Sequence, residues 1–301
     1  MADVIDLFDK PYFAIGLRLG FAALVFGWLL FLVRRSVVPI VGVLVAVATL
    51  ATLQLAGAEL GASIPAVLLI VAAVAATRLF KSPAWIKAVA SLPGAFWLAV
   101  AAPFESFWIR VLTVVTVPLI GMLIGDFEMR HDGLGLGVVF FTIATLGLFA
   151  AVPDTEWALS LMAVSVVLTF LSWPKVAGSL GSEGAYAAVA VFILVAGVGG
   201  SGRPPSVLGS IACLGLLILE PVVTAIKPSV VKLTTLPSRT WGGAMVASLP
   251  QLVLVLVSSR IAARFDQFLP TVMVIGVAYV AGGIVAVRLT DSIEVKPRAS
   301  V

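Results

Sequence analysis

The chain has 301 residues, 61% hydrophobic and 11% charged, with a mean hydropathy of +1.18 and a formal charge of +4. Soluble domains carry about 25% charged residues, so this composition excludes a soluble globular fold of the usual kind. Continuous apolar runs of about twenty residues, in place of alternating runs of about ten, exclude a β-barrel.

The expected fold is all-α, a polytopic transmembrane helix bundle forming one integral membrane domain, 1–301, with the lipid bilayer as its solvent and no soluble domain. Asp3, Asp6 and Asp9 precede the first apolar run, 13–33, and Arg34 and Arg35 follow it. That run is too long for a signal-peptide core and lacks a small-residue exit, so no cleaved leader is expected. Further runs lie at 37–56, 61–77, 84–102, 107–125, 133–152, 156–173, 184–200, 206–226, 242–262 and 268–287. Together they predict about 11 spans, or ten if one run does not cross. The runs at 61–77 and 184–200 are the shortest, which predicts a re-entrant or strongly packed helix at each.

With eleven spans, thirteen Lys and Arg residues fall on the C-terminal side and six on the N-terminal side. The positive-inside rule then puts the N-terminus outside and the C-terminus in the cytoplasm. Arg outnumbers Lys, and Ala, Val, Leu and Gly dominate, a composition that fits a bacterial inner (plasma) membrane. The basic residues sit at helix ends, so no nucleic-acid partner is expected. The single cysteine, Cys213, excludes an internal disulfide and a Cys-based metal site; no metal and no cofactor is expected. Oligomeric state is not legible.

Prolines recur in or near the runs at 39, 65, 93, 118, 221, 250 and 270. Each removes a backbone donor, which predicts either simple bends or broken helices around a cavity, as in transporters. Gly16 and Gly20, Gly121 and Gly125, and Gly133 and Gly137 are spaced for close helix packing. Trp85 to Pro93 resembles Trp241 to Pro250 with one extra residue. The echo raises a weak parallel repeat of 84–125 and 242–287, with chance similarity as the rival in so Ala-rich a chain.

Polar residues form three groups. Asp126, Glu128, Arg130, His131 and Asp132 cluster on the cytoplasmic side, as metal or proton ligands or as a solvated turn. Arg18, Glu105, Arg110, Asp154, Glu156 and Arg203 lie on the outer side, as a polar vestibule or as caps and snorkelling ends. Glu220, followed by Pro221, is the deepest charge, and Gln251 beside Pro250 is a second intramembrane polar residue; both are substrate- or proton-pathway candidates. Gly199 to Gly202 matches the G-x-S-G of intramembrane serine proteases, but the only histidine, His131, is predicted at the other face. Zincin and Walker A signatures are absent.

Kinked helices, short loops and the lack of an ATP-binding motif favour a secondary transporter or flippase of a small or lipid-linked solute, coupled to protons through Glu220. The alternatives are an integral membrane enzyme acting on a lipid or polyprenyl-phosphate substrate, and a non-catalytic subunit of a membrane complex. An enzyme is the less favoured of these readings.

Overall fold

A computed structural model describes residues 10–80, 82–130, 135–152, 154–172, 177–200, 203–226, 241–264 and 277. These residues are helical, with no strand beyond one isolated parallel bridge, Val38 to Gly178. In chain order the helices are α1 (Pro11–Arg34), α2 (Val41–Leu55), α3 (Ser63–Leu79), α4 (Ala84–Ala101), α5 (Phe107–Arg130) and α6 (Leu136–Ala151). They continue as α7 (Glu156–Thr169), α8 (Ser182–Gly199), α9 (Pro204–Ala212), α10 (Leu216–Ile226) and α11 (Trp241–Arg264). The first ten predicted runs each fall on this helical structure; the last, 268–287, lies outside the described residues save for 277, as do His131, Asp132, Gly133 and Pro270.

Length separates the helices. Among the described residues four are long and apolar enough to cross a membrane: α1, α4, α5 and α8. The pair α9 and α10 makes a fifth if its two bent halves count as one span. α2, α3, α6 and α7 are shorter; α7 has 14 residues, about 21 Å at 1.5 Å per residue against about 30 Å of hydrocarbon, and α11, at 24 residues, offers only a shorter apolar stretch, Ser248–Arg260. A count of eleven spans therefore does not follow from these helices.

Burial sorts them again. Of α1 only 17% lies inside the protein, whereas for α8 the figure is 89%. The outer face of α1 carries Phe21, Val25, Phe26, Leu29 and Leu32, and that of α4 carries Val89, Leu92, Phe96 and Val100, all exposed. Contiguous apolar surface on this scale is stable only against lipid or another apolar body. The run 184–200, expected to be re-entrant or strongly packed, is the packed central helix. It contacts α2, α3, α5, α7 and α9.

Small residues make the close approaches. Gly16 and Gly20 lie against Ser160, Ala163, Val164 and Val167 of α7, and Gly27 lies against Leu171. Gly121 and Gly125 leave room for the Tyr186 ring on α8. The tightest crossing was not singled out by the sequence: Gly42 and Gly184 meet backbone to backbone where α2 crosses α8, and any side chain at position 42 would overlap Gly184.

One predicted span is broken. Within the run 206–226, α9 and α10 meet at an angle of 66°. The cause is local: Cys213 to Gly215 leave the helix, with Gly215 at φ +48°. A break inside apolar surroundings exposes backbone groups that must find partners. Gln251 of α11 supplies them. Its Oε1 accepts from the Leu216 amide at 2.7 Å, and its Nε2 donates to the carbonyls of Cys213 at 3.1 Å and Phe140 at 3.3 Å. Pro93, Pro118, Pro221 and Pro250 all sit inside helices.

Candidate functional site

The start of α8 is set by two extended segments. Arg35 ends α1 at φ 51°, with its amide donating to Phe31 O at 2.7 Å, and turns the chain into residues 36–40. This segment runs beside 177–180. Val38 N donates to Ala177 O (2.9 Å), Ser179 N to Val38 O (3.1 Å), Val41 N to Ser179 O (3.0 Å) and Gly42 N to Leu180 O (3.1 Å). Pro39 has no amide to donate, and the ladder skips it. The second segment is tied to the end of α7 by Ser172 Oγ, which donates to Gly178 O at 2.7 Å. Gly181 has φ 76° and lies against Pro39 O, a position closed to any side chain.

Around this junction lies a cavity of about 630 Å³. Arg34, Ser36, Val37 and Pro39 line it from the α1–α2 connection, Arg78 from the end of α3, Lys87 from the first turn of α4, and Glu128 from the end of α5. Ser179, Ser182 and Glu183 complete it at the start of α8. Three cations thus face two carboxylates.

The carboxylates are held differently. Glu128 is buried, and its Oε2 accepts from the Gly181 amide at 3.4 Å. Its other oxygen occupies the space that Gly137 leaves by having no side chain. Glu183 stands in the first turn of α8, where a carboxylate complements the helix dipole. Its Oε2 lies 3.9 Å from Arg78 Nη1 and its Oε1 lies 4.0 Å from Lys87 Nζ. Both are charge contacts too long to be hydrogen bonds, and Oε1 accepts no hydrogen bond among the described residues although it is buried. Lys87 does hydrogen-bond, donating to Ser182 Oγ at 3.1 Å, and its side chain is only 12% exposed.

The sequence-predicted residues distribute unevenly over this geometry. Of the 126–132 cluster, Glu128 reaches the cavity. Arg18, Glu105, Arg110, Asp154, Glu156 and Arg203 are all exposed. Several act as local ties near the far end of α8. Arg110 Nη2 donates to Phe104 O at 3.1 Å, and Asp154 Oδ1 accepts from the Glu156 amide at 3.2 Å. Glu220 is buried on α10 just past the break, and Gln251 is the clamp described above; neither lines the cavity. Arg34, Arg78, Lys87 and Glu183 were missed as site residues. The available signals were a lysine inside the apolar run that begins at Trp85, and a Ser-Glu pair opening a short span after a Gly-rich turn. Among the described residues no three His, Cys, Asp or Glu side chains gather. Comparison with protein-family models, with curated proteins and with solved structures gives no match.

Proposed function

We propose that the chain is a secondary carrier or flippase of a bacterial plasma membrane. In this reading the N-terminus is outside and the cavity at the start of α8 is the cytoplasmic mouth of the pathway. The observation that carries this reading is the cavity itself: an ionised pocket at one end of a buried helix, framed by extended backbone. Irregular backbone at membrane depth is characteristic of transporter sites, where it lines a cavity or is sealed by protein. The Lys and Arg asymmetry of the sequence supports the orientation, and the broken α9–α10 pair supplies an element with a built-in bend. Glu220, buried beside that bend, is the residue we assign to proton coupling.

A carrier must expose its site to both sides of the membrane in turn. The test places a cysteine at Ser182 in a Cys213→Ala background and treats sealed, oriented vesicles with a membrane-impermeant thiol reagent. Labelling from either side is expected. Labelling from the cytoplasmic side alone would sink the carrier. It would favour the second reading, an integral membrane enzyme acting on a lipid or polyprenyl-phosphate headgroup, for which Glu128 and Glu183 at one membrane face speak. Outside labelling of Ser182→Cys should depend on pH, and Glu220→Gln should flatten that dependence; an unchanged profile removes Glu220 from the mechanism.

A further inference from the structure

The chemistry of the cavity narrows what it holds. Arg34, Arg78 and Lys87 exceed Glu128 and Glu183 by one positive charge. The first-turn amides of α8 have no intrahelical partners, and no side chain caps them at Gly181. The helix end therefore adds partial positive charge on the same side. Glu128 already has a hydrogen-bonded seat. Glu183 does not: it floats between Arg78 and Lys87 at charge-contact distance, with one buried oxygen accepting no hydrogen bond among the described residues. A structural salt bridge would close to hydrogen-bonding distance. A loosely held carboxylate between two cations is instead suited to exchange with a stronger anion.

We propose, building on the carrier reading, that this cavity binds a phosphate-bearing anion through Lys87, Arg78 and Arg34, and that Glu183 is an internal counter-anion which the phosphate displaces. Arg and Lys divide the work as their shapes dictate: the guanidinium of Arg78 offers paired donors to two phosphate oxygens, and the largely buried Lys87 offers a point charge. A volume of about 630 Å³ holds a headgroup with more than one phosphate or a sugar phosphate. Free phosphates and phospholipid-like headgroups share this chemistry.

The experiment measures binding to the full chain purified in a neutral detergent, by calorimetry and thermal shift, with two probes: pyrophosphate, and dodecyl phosphate in mixed micelles. Saturable, salt-sensitive binding is expected for at least one. Preference for pyrophosphate identifies a soluble phosphate, and binding of dodecyl phosphate alone identifies a lipid-linked one. Arg78→Gln and Lys87→Met should each weaken binding about tenfold or more. Glu183→Gln should tighten it several-fold, because it removes the competitor and keeps the shape. Arg78 is 67% exposed in its side chain, so its variant stays folded even if Lys87→Met does not. No binding of either probe, or a loss of affinity in Glu183→Gln like that in Arg78→Gln, would overturn the proposal. Binding with the expected signs but Ser182 labelling from one side only keeps the phosphate site and removes the carrier.

Discussion

The two ends of α8 treat charge in opposite ways. At its start, Glu128, Glu183, Lys87 and Arg78 converge from four helices, and Glu128 and Lys87 are withdrawn from the surface. At its finish, Asp154, Glu156, Arg110 and Arg203 stay exposed; the Arg110 side chain donates to Phe104 O, the Asp154 side chain accepts from the Glu156 amide, and the Asp154 amide donates to Gly199 O at 3.1 Å at the last turn of the helix. The sequence shows similar densities of charge near both ends. What differs is the backbone that carries it. The paired segments 36–42 and 177–180 bring side chains inward at one end, whereas ordinary helix caps leave them outward at the other. Charge density alone therefore does not mark a site; a frame that buries charge does.

Four substitutions would break or sharpen this contrast, each read by chemical or thermal unfolding in detergent. Gly42→Val strikes the frame where backbone meets backbone, and should cost about 3 kcal/mol, the upper end for overpacking; a loss under about 1 kcal/mol would mean that α2 and α8 separate freely. Gln251→Leu leaves the Leu216 amide and two carbonyls without their partner at the α9–α10 break, and should cost about 2–3 kcal/mol. Ser172→Ala removes one buried hydrogen bond to the 177–180 segment, a loss of about 1 kcal/mol. At the far end, Asp154→Ala removes an exposed cap and should cost less than about 1 kcal/mol. Should Asp154→Ala prove as damaging as Gly42→Val, the two ends are equally built and the contrast fails.

Much of the helical layout was legible because apolar runs and their lengths are local properties. The run 184–200 stood out as short, and it is the helix that needs no lipid-facing surface. The glycine pairs of α1 and α5 do pack against neighbouring helices, as their spacing implied. The break at Cys213 to Gly215 was hidden because those residues are as apolar as their flanks; only Gln251, far along the chain, reveals what the break requires. The cavity was hidden for a related reason. Its walls come from five separate stretches, and Arg34, Arg78 and Lys87 looked like orientation charges until the 36–42 segment set them facing α8. The outer residues read as a vestibule or as caps; the structure describes one side-chain tie to the backbone at Asp154 and one at Arg110.

The parallel pairing of 36–42 with 177–180 has a consequence for biosynthesis. The two segments belong to opposite halves of the chain, and the first emerges long before the second is made. Until then Val38, Val41 and Gly42 lack the partners that satisfy their amides, and the basic residues beside them have no pocket to line. The order of synthesis thus assigns a late closing step to the middle of the molecule. The seven helices before α8 lack its contacts until it arrives. A chain that stalls before α8 lacks Ser182 and Glu183 and so has no complete pocket at this junction.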